Sequence, residues 1–129
     1  MIKQTVISGM IKHCQREFPF EACGLLSGKN GKVLTLWKMK NMKKSKTEFA
    51  IDIEEMKRTF KKMKQKGEEF NGIYHSHPSA APFPSKTDIK YASYPEAAYF
   101  ILSLKGKEPA VRCYSIKGRR ALPISVRAF

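Results

Sequence analysis

Ile7, Met10, Ile11, Cys14 and Phe18 recur at the spacing of one helix face, which predicts an amphipathic helix from about Thr5 to Arg16, ended by Pro19. The apolar run Ala22 to Ser27, the turn Gly28-Lys29-Asn30-Gly31 and the strand-like Val33-Leu34-Thr35-Leu36-Trp37 predict a hairpin with Glu21 at its entrance. The basic segment Lys38 to Glu48 extends the second strand into an exposed loop before Phe49-Ala50-Ile51 returns to the core. A second helix is bounded by the capping-box variant Asp52-Ile53-Glu54-Glu55 and by Gly67, with Ile53, Met56, Phe60 and Met63 as its apolar stripe. Phe70-Asn71-Gly72-Ile73-Tyr74 reads as a strand leading into a Pro-rich loop and a short helix capped by Ser85. Ala98 to Leu104, Ala110 to Ile116 and Leu122 to Val126 complete the strands, punctuated by Gly106 and Gly118.

Helices and strands do not alternate regularly, so the expected class is α+β, a mixed and mostly antiparallel sheet flanked by helices. At 129 residues, 42% of them hydrophobic, the chain fits one domain over residues 1–129 with a proper core, and its composition excludes a disordered tail. Cys14, Cys23 and Cys113 form no CxxC and cannot all pair, which points to buried thiols in a reducing compartment. No apolar stretch is long enough to cross a bilayer, and the expectation is a soluble cytoplasmic protein. The formal net charge of +14 changes less than its size suggests. Its lysines gather in the Lys38–Lys46 segment and on one face of the second helix, where they read as solvated exterior. Nonspecific nucleic-acid binding is the lesser reading, because no aromatic residues are interleaved to stack bases.

The chemistry lies in His75-Ser76-His77-Pro78-Ser79-Ala80-Ala81-Pro82-Phe83-Pro84-Ser85-Lys86-Thr87-Asp88. On a strand, His75 and His77 point to one face while Tyr74 and Ser76 point to the other. A loop that folds back brings Asp88 to the two imidazoles, and two nitrogens plus one carboxylate leave a tetrahedral ion one open position, the pattern of catalytic zinc. Taken alone, Ser85 and Asp88 are better explained as a capping box, and an isolated HxH is more often polar decoration; it is the combination that favours a metal. His13 reads as a surface histidine, Cys23 as a buried thiol rather than a nucleophile, and Trp37 as half-buried.

The HxHP exit, the Pro-ended loop and SxxD, with Glu21-Ala22-Cys23-Gly24-Leu25-Leu26-Ser27-Gly28 upstream and Tyr94 to Leu104 downstream, resemble the JAMM (MPN+) zinc metalloprotease family, in its compact prokaryotic stand-alone form. The resemblance implies one catalytic zinc on His75, His77 and Asp88, proton shuttling by Glu21, and help from Ser85 in stabilising a tetrahedral oxyanion. It also implies a peptidase or isopeptidase acting on the C-terminal tail of a ubiquitin-fold protein, or of a sulfur carrier of the ThiS/MoaD type. Little chain separates Asp88 from the Tyr99 strand, so the insertions that read ubiquitin linkages are short, which favours a carrier tail or small conjugate. Three other readings stand beside it: a facial-triad iron site, a noncatalytic binding module of the same fold, and a basic nucleic-acid-associated protein. The sequence leaves open whether the chain works as a homodimer.

Overall fold

The computed structural model describes residues 1–129. Helix α1 (Gln4–Glu17) precedes the hairpin β1 (Cys23–Lys29) and β2 (Lys32–Met39); α2 (Ile53–Gln65), β3 (Glu69–His77) and α3 (Lys86–Tyr91) follow, then β4 (Ala98–Ser103), β5 (Ala110–Lys117) and β6 (Arg120–Ile124). The six strands form one sheet in the order β2-β1-β3-β4-β5-β6. Every neighbouring pair is antiparallel except β3 and β4, which run parallel. A parallel pair needs a crossover, and here the Pro-rich loop and α3 supply it. The crossover therefore leaves the sheet directly after His77.

The central strands of the sheet are buried on both faces. In β4 the adjacent Ile101 and Leu102 point opposite ways, yet neither is exposed. One face packs Val6, Met10 and Cys14 of α1 against Leu26, Tyr74, Phe100 and Leu102. The other packs Met56 and Met63 of α2 against Leu25, Ile73, Tyr99 and Ile101. The expected α+β sandwich is thus the observed one. Asp52 caps α2 by accepting from the Glu55 amide, and Gly67 follows its end at φ +76°, a left-handed conformation that glycine adopts without steric cost. No helix is long and apolar enough to cross a membrane.

Three expectations need correction. His13 is not a surface residue: it is 7% exposed, and its Nδ1 lies 2.6 Å from the Tyr74 hydroxyl. Val6, Met10, His13 and Cys14 are all buried on α1, at i, i+4, i+7 and i+8, so the histidine belongs to the apolar stripe itself. Its partner needs room that Gly24 provides, since a Cβ there would clash with the Tyr74 ring. Ile53 and Phe18, expected in apolar stripes, are 59% and 55% exposed, because one opens α2 and the other lies just past the end of α1. The last strand begins at Arg120 rather than Leu122. It is the edge strand, where Pro123 withholds no needed amide.

Candidate functional site

His75 and His77 end β3 on the face covered by α2, and both are buried. The crossover returns Asp88 to them. Its Oδ2 lies 3.1 Å from His75 Nε2 and 3.0 Å from His77 Nε2, and the two imidazole nitrogens are 3.2 Å apart. Ser85 fixes the carboxylate through a complete capping box: its Oγ accepts from the Asp88 amide at 3.0 Å, and its own amide donates to Asp88 Oδ2 at 2.9 Å. The capping and ligand readings of these two residues are therefore not alternatives. One geometry satisfies both.

The loop itself is held by three successive carbonyls. Ser103 Oγ donates to Ala80 O at 2.6 Å, His77 Nδ1 to Ala81 O at 2.8 Å, and Tyr114 Oη to Pro82 O at 2.7 Å. These bonds tie the loop to β4, β3 and β5 in turn. The middle one also decides a tautomer. A carbonyl can only accept, so His77 Nδ1 carries a proton, and a neutral ring then presents a lone pair at Nε2.

That lone pair faces another imidazole nitrogen and a carboxylate oxygen, all buried. Three electron-rich atoms this close repel unless positive charge lies among them. Without a metal, protons must provide it. Burial lowers the His77 pKa, but the bonds from Asp88 and Ala81 outweigh this and raise it overall. Burial likewise pushes the Asp88 carboxyl up, but hydrogen bonds to both histidines hold it well below the usual carboxylate range. A divalent cation would satisfy all three atoms at once, and His75, His77 and Asp88 offer ligand atoms within 4.8 Å of one another. Two imidazoles and a carboxylate suit zinc with one coordination position left over. His75 Nδ1 is buried without a partner, and a flat stack with Phe49 at 4.6 Å, rather than a hydrogen bond, orients that ring.

Glu21 completes the group from the entrance to β1. The Ala22 amide donates to Ser76 Oγ at 2.8 Å and the Ser76 amide to Ala22 O at 3.0 Å, so the serine between the two histidines, pointing to the opposite face, anchors the residue next to Glu21. The Glu21 side chain is 3% exposed and its Oε1 has no hydrogen-bond partner. Burial pushes its pKa up to about 8; His77 pulls it down in part, while Asp88 and Glu48 add to the rise. Beside this cluster opens a cavity of about 480 Å³, walled by His75, Asp88, Phe49, Met56 and Tyr94.

His75, His77 and Asp88 thus converge with Glu21 near them, and Cys23, although it pairs with His75 across the sheet, is inert. Burial pushes the thiols of Cys14, Cys23 and Cys113 up to about 12, leaving no thiolate for nucleophilic attack. Sequence reasoning missed Phe49, Ser103 and Tyr114 as supports of the site. They read as ordinary core or strand residues, and only the fold gives them their contacts.

The family described as prokaryotic homologs of the JAB domain matches residues 3–117. The CysO-cysteine peptidase of Mycobacterium tuberculosis (strain ATCC 25618 / H37Rv) is 33% identical over 107 residues, covering 81% of this chain and 73% of that protein. The desampylase of Pyrococcus furiosus is 34% identical over 90 residues, covering 70% and 64%. A protein of Desulfitobacterium hafniense, solved in solution, superposes with a TM-score of 0.91 at 28% identity over 99% of this chain and 91% of its own. A JAMM protein described as having a metalloprotease-like zinc site shares the fold alone, with a TM-score of 0.65 at 16% identity over 99% and 95%.

Proposed function

We propose, for a chain that belongs to the prokaryotic JAB-domain family, that residues 1–129 form a single zinc-dependent peptidase or isopeptidase domain. Its substrate would be an amide at the C-terminal tail of a ubiquitin-fold or sulfur-carrier protein, or of a conjugate of one. The observation that carries the reading is the convergence of His75 Nε2, His77 Nε2 and Asp88 Oδ2 beside a buried, unpaired carboxyl on Glu21. The relatives named CysO-cysteine peptidase and desampylase support the substrate class. Three free, buried cysteines suit a cytoplasmic setting.

His75, His77 and Asp88 would hold the ion, which supplies Lewis acidity to a water and to the scissile carbonyl. Glu21 takes a proton from the attacking water and returns it to the departing amine nitrogen. Burial suits the carboxyl to this task, because a group that titrates near neutrality both accepts and releases a proton readily, and a nearby cation would favour its charged, accepting form. Ser85 Oγ accepts from the Asp88 amide, which leaves its hydroxyl proton to donate to the oxygen that gains charge as the carbonyl is attacked. The cavity beside the ligands would shelter the chain flanking the bond from water.

The test is a ubiquitin-fold or sulfur-carrier protein bearing a C-terminal extension, incubated with the enzyme and followed by intact mass. A single cut at the end of the tail is expected, abolished by a chelator and restored by added zinc under both aerobic and anaerobic conditions. Cleavage that needs iron and oxygen would replace the hydrolase reading with an oxygenase. Failure to cut any such fusion by the zinc-loaded protein would sink the substrate class.

A further inference from the structure

Between β2 and α2 the chain runs from Lys40 to Asp52 without helix or strand, yet it is not loosely attached. Its anchor is Asn41, 9% exposed, whose side-chain amide uses its whole hydrogen-bonding capacity. Nδ2 donates to Glu21 O and to Glu48 O, both at 3.0 Å. Oδ1 accepts from the Lys43 amide at 3.0 Å and the Ala50 amide at 3.1 Å. The same strap accepts the Glu21 amide at Ser45 O, 2.8 Å away. Both main-chain polar groups of Glu21 are therefore bonded to this strap rather than to the sheet. Asn41 also grips the residues on either side of Phe49, the ring stacked on His75.

We propose that Asn41 is a positioning residue for the reaction: by clamping the strap, it sets where the Glu21 carboxyl and the Phe49 ring stand relative to the two histidines. This rests on the hydrolase reading above. A strap held at both ends of one amide moves as a unit, so loosening it displaces the proton carrier, while His77 and Asp88 stay held by the Ala81 carbonyl and the capping box and His75, weakened only in its Phe49 stack, keeps its place on β3. The consequence is a specific split: metal binding is kept and turnover is lost.

Asn41→Asp is the informative variant. It keeps two acceptors for the Lys43 and Ala50 amides but loses both donors, including the one that holds Glu21. Asn41→Ala removes all four bonds. Ser27→Ala serves as a control for general loss of stability, since it deletes buried hydrogen bonds with Glu68 and Trp37 that lie toward the opposite end of β1. For both Asn41 variants we expect one zinc per chain, an unchanged KM, and kcat on the tail fusion lowered about tenfold or more, a fraction of the roughly 10²–10⁴ that general acid–base catalysis provides. Amide exchange should quicken in the Glu21 and Lys40–Asp52 segments, whereas Ser27→Ala should keep kcat. An Asn41→Asp enzyme with wild-type kcat would overturn the proposal, as would a fall in kcat that Ser27→Ala shares. A wild type that binds zinc but cuts no fusion would instead defeat the hydrolase reading, and the proposal would fall with it.

Discussion

Glu21→Gln is expected to retain one zinc per chain and lose hydrolysis by roughly 10²–10⁴-fold, the range that general acid–base catalysis contributes. The amide has nearly the same shape, so the cavity and the ligands are undisturbed, but it cannot accept or return a proton. The same change should make the metal-free protein more stable in base. Burial raises the Glu21 pKa from 4.5 to about 8. A carboxyl with a raised folded-state pKa contributes its full share to stability below 4.5 and loses it as pH climbs towards 8. Above pH 8 the wild type carries a buried, unpaired charge that the Gln variant lacks. The resulting difference is on the order of a few kcal/mol, because each tenfold change in proton affinity is worth about 1.4 kcal/mol. Urea unfolding of the chelated proteins at pH 5 and pH 9 reads it, and the variant should gain on the wild type only at the higher pH. If Glu21 carries the proposed proton transfer, activity and apo stability pull this side chain in opposite directions.

Asp88→Asn should cost more metal affinity than the roughly 10–100-fold lost when an outer partner of a ligand is removed, and activity should go with it. The substitution separates two roles that share one side chain. An asparagine oxygen can still accept from the Ser85 amide, and the main-chain amide of residue 88 still donates to Ser85 Oγ, so α3 keeps its cap. What disappears is the negative charge that balances a cation between His75 and His77. In the metal-free protein that charge supports the protonated His77. The depressed Asp88 pKa gives stability that is present above its ordinary 3.8 and lost as the solution becomes more acid, and the raised His77 pKa gives stability present below 6.5 and lost as pH rises through its folded value. These are two views of one pair and count once. Competition with a chromophoric chelator measures the affinity, and retained far-ultraviolet dichroism would show that the helix is intact.

Most of this site was legible because its pieces obey local rules. Alternation on a strand puts His75 and His77 on one face, and the serine three residues before Asp88 announces a helix start whatever else the acid does. The placement of Glu21 was not legible from periodicity. It lies more than fifty residues upstream, and only the antiparallel pairing of β1 with β3, locked by Ser76 and Ala22, brings it near. Asn41 left no trace for a related reason: in a run of lysines it reads as one more polar loop residue, and its four bonds exist only once Glu21, Glu48 and Ala50 have met. His13 was misread because a titratable side chain was assigned to water by type, although its spacing from Val6 and Met10 put it inside. The fold class survived because each long element was set by its own apolar pattern, while the misplacements were local: His13, whose partner is distant in sequence, Ile53 and Phe18 at helix ends, and the start of one edge strand.

The proposed zinc site joins two imidazoles at the end of β3 to one carboxylate that the crossover returns to them. X-ray absorption at the zinc edge of the zinc-loaded wild type tests it most directly. One zinc per chain is expected, with only nitrogen and oxygen neighbours at about 2.0–2.2 Å, two of them showing the multiple scattering of imidazole. A sulfur neighbour at about 2.3 Å, or zinc without imidazole scattering, would contradict it.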